Sequence, residues 1–219
     1  MFKNKKIILF DLDGTLVNTL PDLTSAVNYA LNSYSYPSRS LEYVKDAIGD
    51  GVETLIKRCL EGGVNNPLYL DILNTFRSYY KEHFLDKSYP YEDVEEVLLY
   101  LKKKGYKLGV VTNKIDDLAY KMVNTYFECL FDVVVGDLPT RRKKPHTDMV
   151  NVALRKLGSP KKEDVIYIGD SNVDMKTAEN ADISLILVSY GYRTKQYLDE
   201  INDKKHPIID SFISLKQYF

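Results

Sequence analysis

The sequence predicts an α/β protein, with a doubly wound parallel sheet and a small all-helical domain inserted after the first strand. Two observations support this prediction. Short apolar runs alternate along the chain with amphipathic helical patterns, which is the order of a parallel sheet covered by helices. That order is interrupted once, between about residues 16 and 90, where helical patterns follow one another without a convincing strand. The length of 219 residues allows one domain with such an insertion.

The predicted strands are short apolar runs, rich in β-branched residues and without the polar alternation of a half-exposed strand. They are Ile7–Phe10, Leu108–Val111, Val133–Val135, Val165–Ile168 and Leu185–Val188. The lack of alternation indicates strands that are buried on both faces, as in a Rossmann-like sheet between two helical layers.

The helices between these strands are marked by apolar spacing and by glycine. Apolar residues of Val94–Leu101 recur at i, i+3, i+4 and i+7, and Gly105 ends the pattern. A second pattern covers Met149–Leu157, and Gly158 ends it. Each pattern therefore predicts a helix that returns the chain to the start of the next strand.

The insertion contains helix-like stretches separated by turn signals such as GDG and GGVNNP. These stretches are Asp22–Asn32, Leu41–Ile48, Val52–Leu60 and Leu68–Phe84. We therefore expect residues 1–15 and 91–219 to form the α/β core domain, and residues 16–90 to form the helical domain.

Composition and charge exclude several functional classes. A content of 44% hydrophobic and 28% charged residues is ordinary for a globular protein. The net charge of -1 provides no overall field for a polyanion, so we expect no nucleic-acid partner. The apolar run near the N-terminus is too short for a signal peptide or a membrane span, and the two cysteines have no metal or redox spacing. We therefore expect a cytoplasmic protein without a membrane partner.

Polar side chains follow several of the predicted strands. They are Asp11 and Asp13 after the first strand, Thr112 and Asn113 after the second, Asp170 and Asp174 after the fourth, and Lys144 in a loop before a helix. Ligands bind beyond the carboxyl ends of the strands in an open parallel sheet. If the sheet forms, these residues converge at one edge.

Clustered carboxylates repel one another unless some stay protonated or a cation lies among them. Hard oxygen ligands without histidine or cysteine favour Mg²⁺, which readily takes a phosphate oxygen as a further ligand. Thr112, the backbone N–H groups near Asn113 at the expected start of the next helix, and the ammonium of Lys144 suit that phosphate. The sequence therefore predicts a magnesium and phosphate site.

The spacing of Asp11 and Asp13 indicates phosphoryl-transfer chemistry. Residues i and i+2 of an extended strand point to the same side. One carboxylate can then attack phosphorus, provided that metal and lysine stabilise the phosphoryl oxygens. The other, Asp13, can donate a proton to the leaving oxygen and later accept one from the attacking water.

The sequence resembles the haloacid dehalogenase-like (HAD) hydrolase superfamily through four motifs in order. They are DLDGT (residues 11–15), VVTNK (110–114), the Lys144-Pro145 step and IGDSNVDM (168–175). The resemblance implies an aspartyl-phosphate mechanism, with Asp11 as nucleophile and Asp13 as acid and base.

The same resemblance implies which residues bind metal and phosphate. Mg²⁺ would be bound by Asp11, the backbone carbonyl of Asp13, and Asp170, with Asp174 supporting the site. The phosphoryl group would be held by Thr112, Asn113 and Lys144. The helical insertion would be the cap domain, which closes over the site and helps to choose the substrate.

A narrower resemblance is to the phosphoglycolate phosphatase group. It rests on LPDLTSAVNYAL (20–31), IGDGVETLIKRCL (48–60), VVGDLPTRRKKPH (134–146) and VSYGY (188–192). In that group the segment around Gly49–Gly51 is a cap loop facing the active site. The resemblance therefore makes Gly49 and Gly51 candidate substrate-loop residues.

The expected function is that of a Mg²⁺-dependent phosphomonoester phosphatase acting on a small anionic metabolite such as 2-phosphoglycolate. The same residues also suit a pyrophosphatase, a nucleotidase, a sugar-phosphate phosphatase or a β-phosphoglucomutase. A non-hydrolytic phospho-accepting signalling module is an alternative from another class, disfavoured by the large insertion. The sequence leaves open the substrate, the choice between monomer and homodimer, any catalytic residue from the cap, and the roles of His146 and Arg141–Lys143.

Overall fold

The computed structural model describes residues 2 and 4–219. They divide into two compact units. One, called the core unit below, joins the N-terminal residues up to Val17 with Pro90–Phe219. The other, called the insertion unit, is Asn18–Tyr89. Among the described residues, no helix combines the length and the apolar character needed to cross a membrane.

The strands form one large and one small sheet. They are β1 (Ile7–Phe10), β2 (Val17–Asn18), β3 (Tyr89–Pro90), β4 (Lys107–Ile115), β5 (Val133–Asp137), β6 (Val165–Gly169), β7 (Ser184–Val188) and β8 (Ile208–Ile209). The large sheet has six parallel strands in the order β5-β4-β1-β6-β7-β8, and β2 pairs with β3. The predicted α/β class is confirmed, and each of the five predicted strands is present.

The central strand of the large sheet, β1, is buried on both faces, which explains its lack of polar alternation. Ile7 and Leu9 belong to a buried cluster on one side of the sheet that includes Met149, Ala153 and Ala178. The ring of Phe10 lies 6.0 Å from the rings of both Phe131 and Phe212. Because successive strand residues point to opposite faces, both faces of the sheet are covered.

The insertion unit contains four α-helices. They are α1 (Leu20–Asn32), α2 (Leu41–Ala47), α3 (Val52–Cys59) and α4 (Tyr69–His83). Its interior is apolar, with Val27, Ile72 and Phe76 fully buried. One buried carboxylate, Asp22 in the first turn of α1, accepts hydrogen bonds from the backbone N–H groups of Lys87 and Ser88. The Asp22 carboxylate therefore links the first helix of the insertion unit to the last residues of that unit.

The described residues of the core unit form five α-helices. They are α5 (Val94–Lys103), α6 (Asp116–Tyr126), α7 (Asp148–Lys156), α8 (Asn172–Ala181) and α9 (Lys195–Ile201). Gly105 and Gly158 follow α5 and α7 with φ of +88° and +97°, the left-handed conformation in which glycine ends a helix.

The expected start of a helix near Asn113 is wrong. β4 continues through Thr112 and Asn113, and α6 begins only at Asp116. The extension exists because Ile115 pairs with Asp137 on β5, after an irregularity in register that follows Val111. The first turn of α6 then begins with acidic residues, which suit the positive end of a helix.

Candidate active site

The strand ends place the first candidate residues side by side. Phe10 pairs with Val110 on β4 and with Ile168 on β6, so the three strands reach the same edge together. Asp11 follows β1 directly, and its N–H donates to the carbonyl of Ile168 at 2.9 Å. Asp170 follows β6 directly. The backbone of the sheet therefore brings together residues that lie far apart in sequence.

Three carboxylates meet at this edge. Asp11, Asp170 and Asp174, called the acid cluster below, each offer an oxygen, and these oxygens all lie within 4.8 Å of one another. All three residues are buried. Burial and the neighbouring charge of Asp174 raise the pKa of Asp11 to about 7, and the same causes raise the pKa of Asp170 well above its ordinary value. The cluster therefore carries more negative charge than its surroundings stabilise.

Lys144 supplies a positive charge inside the acid cluster. Its Nζ lies 2.8 Å from Asp11 Oδ1 and 2.7 Å from Asp174 Oδ1, and its side chain is 2% exposed. Burial opposes the charged form, but Asp11 and Asp174 outweigh it and raise the pKa of Lys144 well above its ordinary value. Lys144 therefore remains an ammonium ion at neutral pH.

Asp174 uses its two oxygens for different purposes. Oδ2 accepts hydrogen bonds from the N–H and the hydroxyl of Ser171, at 3.1 and 2.6 Å, and so closes a capping box at the start of α8. Oδ1 faces Lys144. Asp174 thus stabilises the helix start and also pairs with the lysine.

Asp170 is held by the loop that follows β1 and by a second loop after β7. Its Oδ2 accepts the N–H of Tyr192 at 2.7 Å, and the Thr15 hydroxyl donates to its Oδ1 at 3.5 Å. Gly14 has φ of +87°, and a Cβ there would lie 2.5 Å from Asp170 Oδ2. Glycine is therefore required after Asp13 both for the turn and for the close approach.

The Asp13 side chain lies outside the acid cluster of the described residues. Its Oδ1 instead accepts a hydrogen bond from Lys114 Nζ at 3.0 Å, and the Lys114 side chain is only 4% exposed. Lys114 is a further candidate site residue that its local sequence pattern does not single out, although it lies within the VVTNK motif. The usable signal was its place two residues after Thr112, on the same side of an extended strand.

Thr112 and Asn113 lie within β4, shortly before its last residue, Ile115. The Thr112 hydroxyl is buried and accepts the N–H of Lys114 at 3.2 Å, so its own proton stays available for a ligand. Both ends of the Asn113 amide contact the backbone of Lys144, at 2.7 and 3.2 Å. The Asn113 side chain therefore holds the lysine loop.

The acid cluster fits a divalent cation. Asp11 Oδ1 is buried and has no hydrogen bond to any residue that the structure describes. Its 2.8 Å separation from Lys144 Nζ is an ion pair whose angles do not meet hydrogen-bond geometry. A buried carboxylate oxygen that accepts no hydrogen bond, in a cluster of carboxylates without histidine or cysteine, is the environment that a hard cation such as Mg²⁺ prefers.

The basic run next to Lys144 fastens its loop to the sheet. Arg141 donates to Asp116 Oδ1 at 2.8 Å and to the carbonyl of Gly136 at 3.0 Å. Lys143 lies 3.2 Å from Asp137 Oδ2. Arg142, which is exposed, pairs with Asp148, and His146 is exposed as well. These residues support the loop that carries Lys144.

The two candidate substrate-loop glycines lie in the insertion unit, between α2 and α3. Gly49 and Gly51 have φ of +128° and +87°. The residue between them, Asp50, is held by Arg58, whose Nη2 lies 2.6 Å from Asp50 Oδ2. Arg58 also donates to the carbonyl of Ala47 at 2.9 Å. The loop is therefore fixed at both sides by one guanidinium group.

A parallel sheet with an aspartate directly after its first strand, a buried lysine and a helical insertion defines the haloacid dehalogenase-like hydrolases. The chain belongs to this family, whose model matches residues 8–188. Within the family it is a phosphatase of the phosphoglycolate phosphatase-like group, as the following similarities indicate.

The chain is 36% identical to the phosphoglycolate phosphatase of Nitrosococcus oceani, over 99% of this chain and 97% of that protein. It is 32% identical to the phosphoglycolate phosphatase of Colwellia psychrerythraea, over 91% of this chain and 90% of that protein. The crystal structure of a candidate phosphoglycolate phosphatase from Lactobacillus delbrueckii subsp. bulgaricus superimposes with a TM-score of 0.91, at 29% identity and over 97% of each chain.

Proposed function

We propose that this phosphatase hydrolyses 2-phosphoglycolate in the cytoplasm, using Mg²⁺ and an aspartyl-phosphate intermediate on Asp11. We further propose that residues 16–90 act as a cap, and that the loop with Gly49 and Gly51 takes part in choosing the substrate. The names of the relatives from Nitrosococcus oceani and Colwellia psychrerythraea support the choice of substrate.

The observation that carries the proposal is the position of Lys144 between Asp11 and Asp174. When ionised, the three carboxylates of the acid cluster and one ammonium sum to -3 + 1 = -2. A divalent cation restores neutrality and allows Asp11 to stay ionised, as a nucleophile must be. Asp11, Asp170 and the backbone carbonyl of Asp13 would hold Mg²⁺, with Asp174 in support. When bound, this ion supplies Lewis-acid stabilisation of the phosphoryl oxygens.

In the first half-reaction a carboxylate oxygen of Asp11 forms a bond to phosphorus, and the bond from phosphorus to the leaving oxygen breaks. The protonated carboxyl of Asp13 gives its proton to that oxygen, so the product leaves as an alcohol. Thr112, the N–H of Asn113 and Lys144 would hold the phosphoryl oxygens while charge develops on them.

In the second half-reaction water attacks phosphorus and the bond to Asp11 breaks. Asp13, now a carboxylate, takes a proton from the water. Inorganic phosphate leaves, Asp11 is again a carboxylate, and Asp13 is again protonated. Lys114, which donates to Asp13 Oδ1, would keep that carboxyl group directed at the reacting oxygen.

The substrate is tested by measuring phosphate release from a panel that includes 2-phosphoglycolate, pyrophosphate, nucleoside monophosphates and sugar phosphates, with Mg²⁺. The expected result is a kcat/KM for 2-phosphoglycolate at least about tenfold above every other compound, a difference of about 1.4 kcal/mol. A higher kcat/KM for another compound would overturn the substrate assignment but not the proposed mechanism. Conversion of β-glucose 1-phosphate to the 6-phosphate without release of phosphate would indicate a mutase.

The chemistry is tested separately with p-nitrophenyl phosphate and with Asp11→Asn. Hydrolysis that requires Mg²⁺ and is lost in Asp11→Asn would support the mechanism. The matched control is Asp71→Asn, which changes an exposed carboxylate on α4 in the same way. A wild-type protein that releases no phosphate from any compound, but retains phosphate on the chain, would instead support the signalling alternative.

A further inference from the structure

The core unit contains a fully buried hydroxyl group that the mechanism above does not use. Tyr167 lies in the middle of β6 among apolar neighbours, and its ring is completely buried. Its Oη donates to the carbonyl of Val111 at 2.7 Å and lies 3.1 Å from Lys144 Nζ. An apolar strand would accommodate phenylalanine equally well, so the hydroxyl is the part of this residue that calls for an explanation.

The hydroxyl completes the surroundings of the Lys144 ammonium group. An ammonium ion has three N–H donors. Lys144 Nζ donates to Asp174 Oδ1 at 2.7 Å and to Tyr167 Oη at 3.1 Å, and it forms an ion pair with Asp11 Oδ1 at 2.8 Å. The carbonyl of Val111 at 2.7 Å is a much nearer acceptor for the phenol proton than Asp174 Oδ1 at 3.4 Å, so the phenol serves Lys144 as an acceptor. Of the three groups around the ammonium, the Tyr167 hydroxyl is the uncharged one.

The same hydroxyl connects two strands of the site. Val111 directly precedes Thr112 within β4, whereas Tyr167 lies on β6, with β1 between the two strands. The Tyr167 side chain therefore links the strand that bears Thr112 to the lysine that would bind the same phosphoryl group. A lysine side chain is long and flexible, and two carboxylates alone leave its ammonium free to tilt toward either one.

We propose that Tyr167 is a positioning residue, whose hydroxyl fixes the direction of the Lys144 ammonium between Asp11 and Asp174. This inference rests on the proposed function for the role of Lys144 at the phosphoryl group. The placement of Lys144 by Tyr167 is a separate statement, and it holds for the protein without substrate. A purely structural role would require only the hydrogen bond to Val111.

The first test compares hydrolysis by wild type, Tyr167→Phe and the control Tyr106→Phe, which changes a half-buried tyrosine of the core unit that packs on Phe219. We expect Tyr167→Phe to lower kcat about tenfold with KM changed less than twofold, because a misdirected ammonium loses contact mainly with charge that develops in the transition state. We expect no change in the control. An unchanged kcat per folded Tyr167→Phe molecule, with only a lower Tm, would overturn the proposal.

The second test does not depend on activity. In ¹H–¹⁵N NMR spectra the ammonium signal of a buried, hydrogen-bonded lysine is visible, and Lys144→Met assigns it by its loss. We expect Tyr167→Phe to shift or broaden this signal in the metal-free protein, and Tyr106→Phe to leave it unchanged. An unshifted signal in Tyr167→Phe would overturn the proposal. If Tyr167→Phe does not fold, Tyr167→Met, which also lacks the hydroxyl, replaces it in both measurements.

These outcomes separate the two hypotheses. A protein without phosphatase activity but with a Lys144 signal that responds to Tyr167→Phe refutes the proposed function and retains the positioning of the lysine. If the wild-type protein is an active phosphatase, and Tyr167→Phe changes neither kcat nor the Lys144 signal, the positioning role alone is refuted.

Discussion

Asp11→Asn should stabilise the metal-free protein while it abolishes hydrolysis. The carboxylate of Asp11 is buried beside Asp174 and Asp170, and these surroundings raise its pKa from 3.8 to about 7. Asparagine has nearly the same shape as the protonated acid and carries no charge. The substitution therefore removes an unfavourable charge from the folded state at neutral pH without opening a cavity.

The magnitude follows from the pKa shift. A pKa raised on folding contributes stability that is fully present below the unfolded value, near pH 4, and is lost as the pH rises through about 7. At about 1.4 kcal/mol for a difference of one in pKa, the rise from 3.8 to about 7 corresponds to a loss of about 4 kcal/mol in the free energy of unfolding. The favourable charge of Lys144 is already part of this raised pKa, so the expected gain at pH 8 is at most about 4 kcal/mol.

The measurement is thermal unfolding in EDTA between pH 5 and pH 8, with Asp71→Asn as the control. We expect the Tm of Asp11→Asn to exceed that of wild type at pH 8, by about 2–4 °C for each kcal/mol in a chain of this size. We expect the difference to shrink to less than half at pH 5, where the wild-type carboxyl group is protonated in the folded state. A Tm for Asp11→Asn at or below that of wild type at pH 8 would refute the reasoning.

Three further outcomes are expected. Lys144→Met should lower kcat about 100-fold or more, since one charge-assisted contact to developing charge is worth about 3 kcal/mol, and single-turnover hydrolysis measures this loss. Lys114→Met should lower kcat about tenfold and leave KM nearly unchanged, because the Asp13 carboxyl loses its buried partner. A Lys114→Arg variant that keeps the wild-type kcat would assign the loss to the charge, whereas an equal loss in Lys114→Arg would assign it to the shape of the side chain. Asp22→Ala should lower the free energy of unfolding by about 2–4 kcal/mol in urea titrations, because the buried N–H of Ser88 loses its acceptor; an unchanged midpoint would contradict this.

The parts of the fold that the sequence predicted are those with a local signal. Ile7–Phe10 is uninterrupted and apolar, and it forms β1 with the same boundaries. Gly105 and Gly158 end their helices because each takes a left-handed conformation just past the last turn. By contrast, β2, β3 and β8 have two residues each, which is too few for any periodicity, and they exist only because a partner strand lies beside them.

The parts of the site that could not be predicted depend on contacts between distant segments. Nothing near Tyr167 in the sequence indicates that its hydroxyl meets Lys144, 23 residues away, and Val111, 56 residues away. The pairing of Lys114 with Asp13 spans 101 residues. The prediction of a helix start near Asn113 is wrong for a related reason. Pairing with β5 extends β4 past the point where the local pattern indicated a helix.

The divided use of Asp174 has a consequence for how this protein tolerates change. One oxygen closes the first turn of α8 and the other neutralises Lys144. Alanine at this position would remove both contacts at once, the one that closes the first turn of α8 and one of the two carboxylates that pair with Lys144. Random mutagenesis scored by expression level alone, without any selection for activity, should thus find position 174 as intolerant of substitution as positions in the apolar interior.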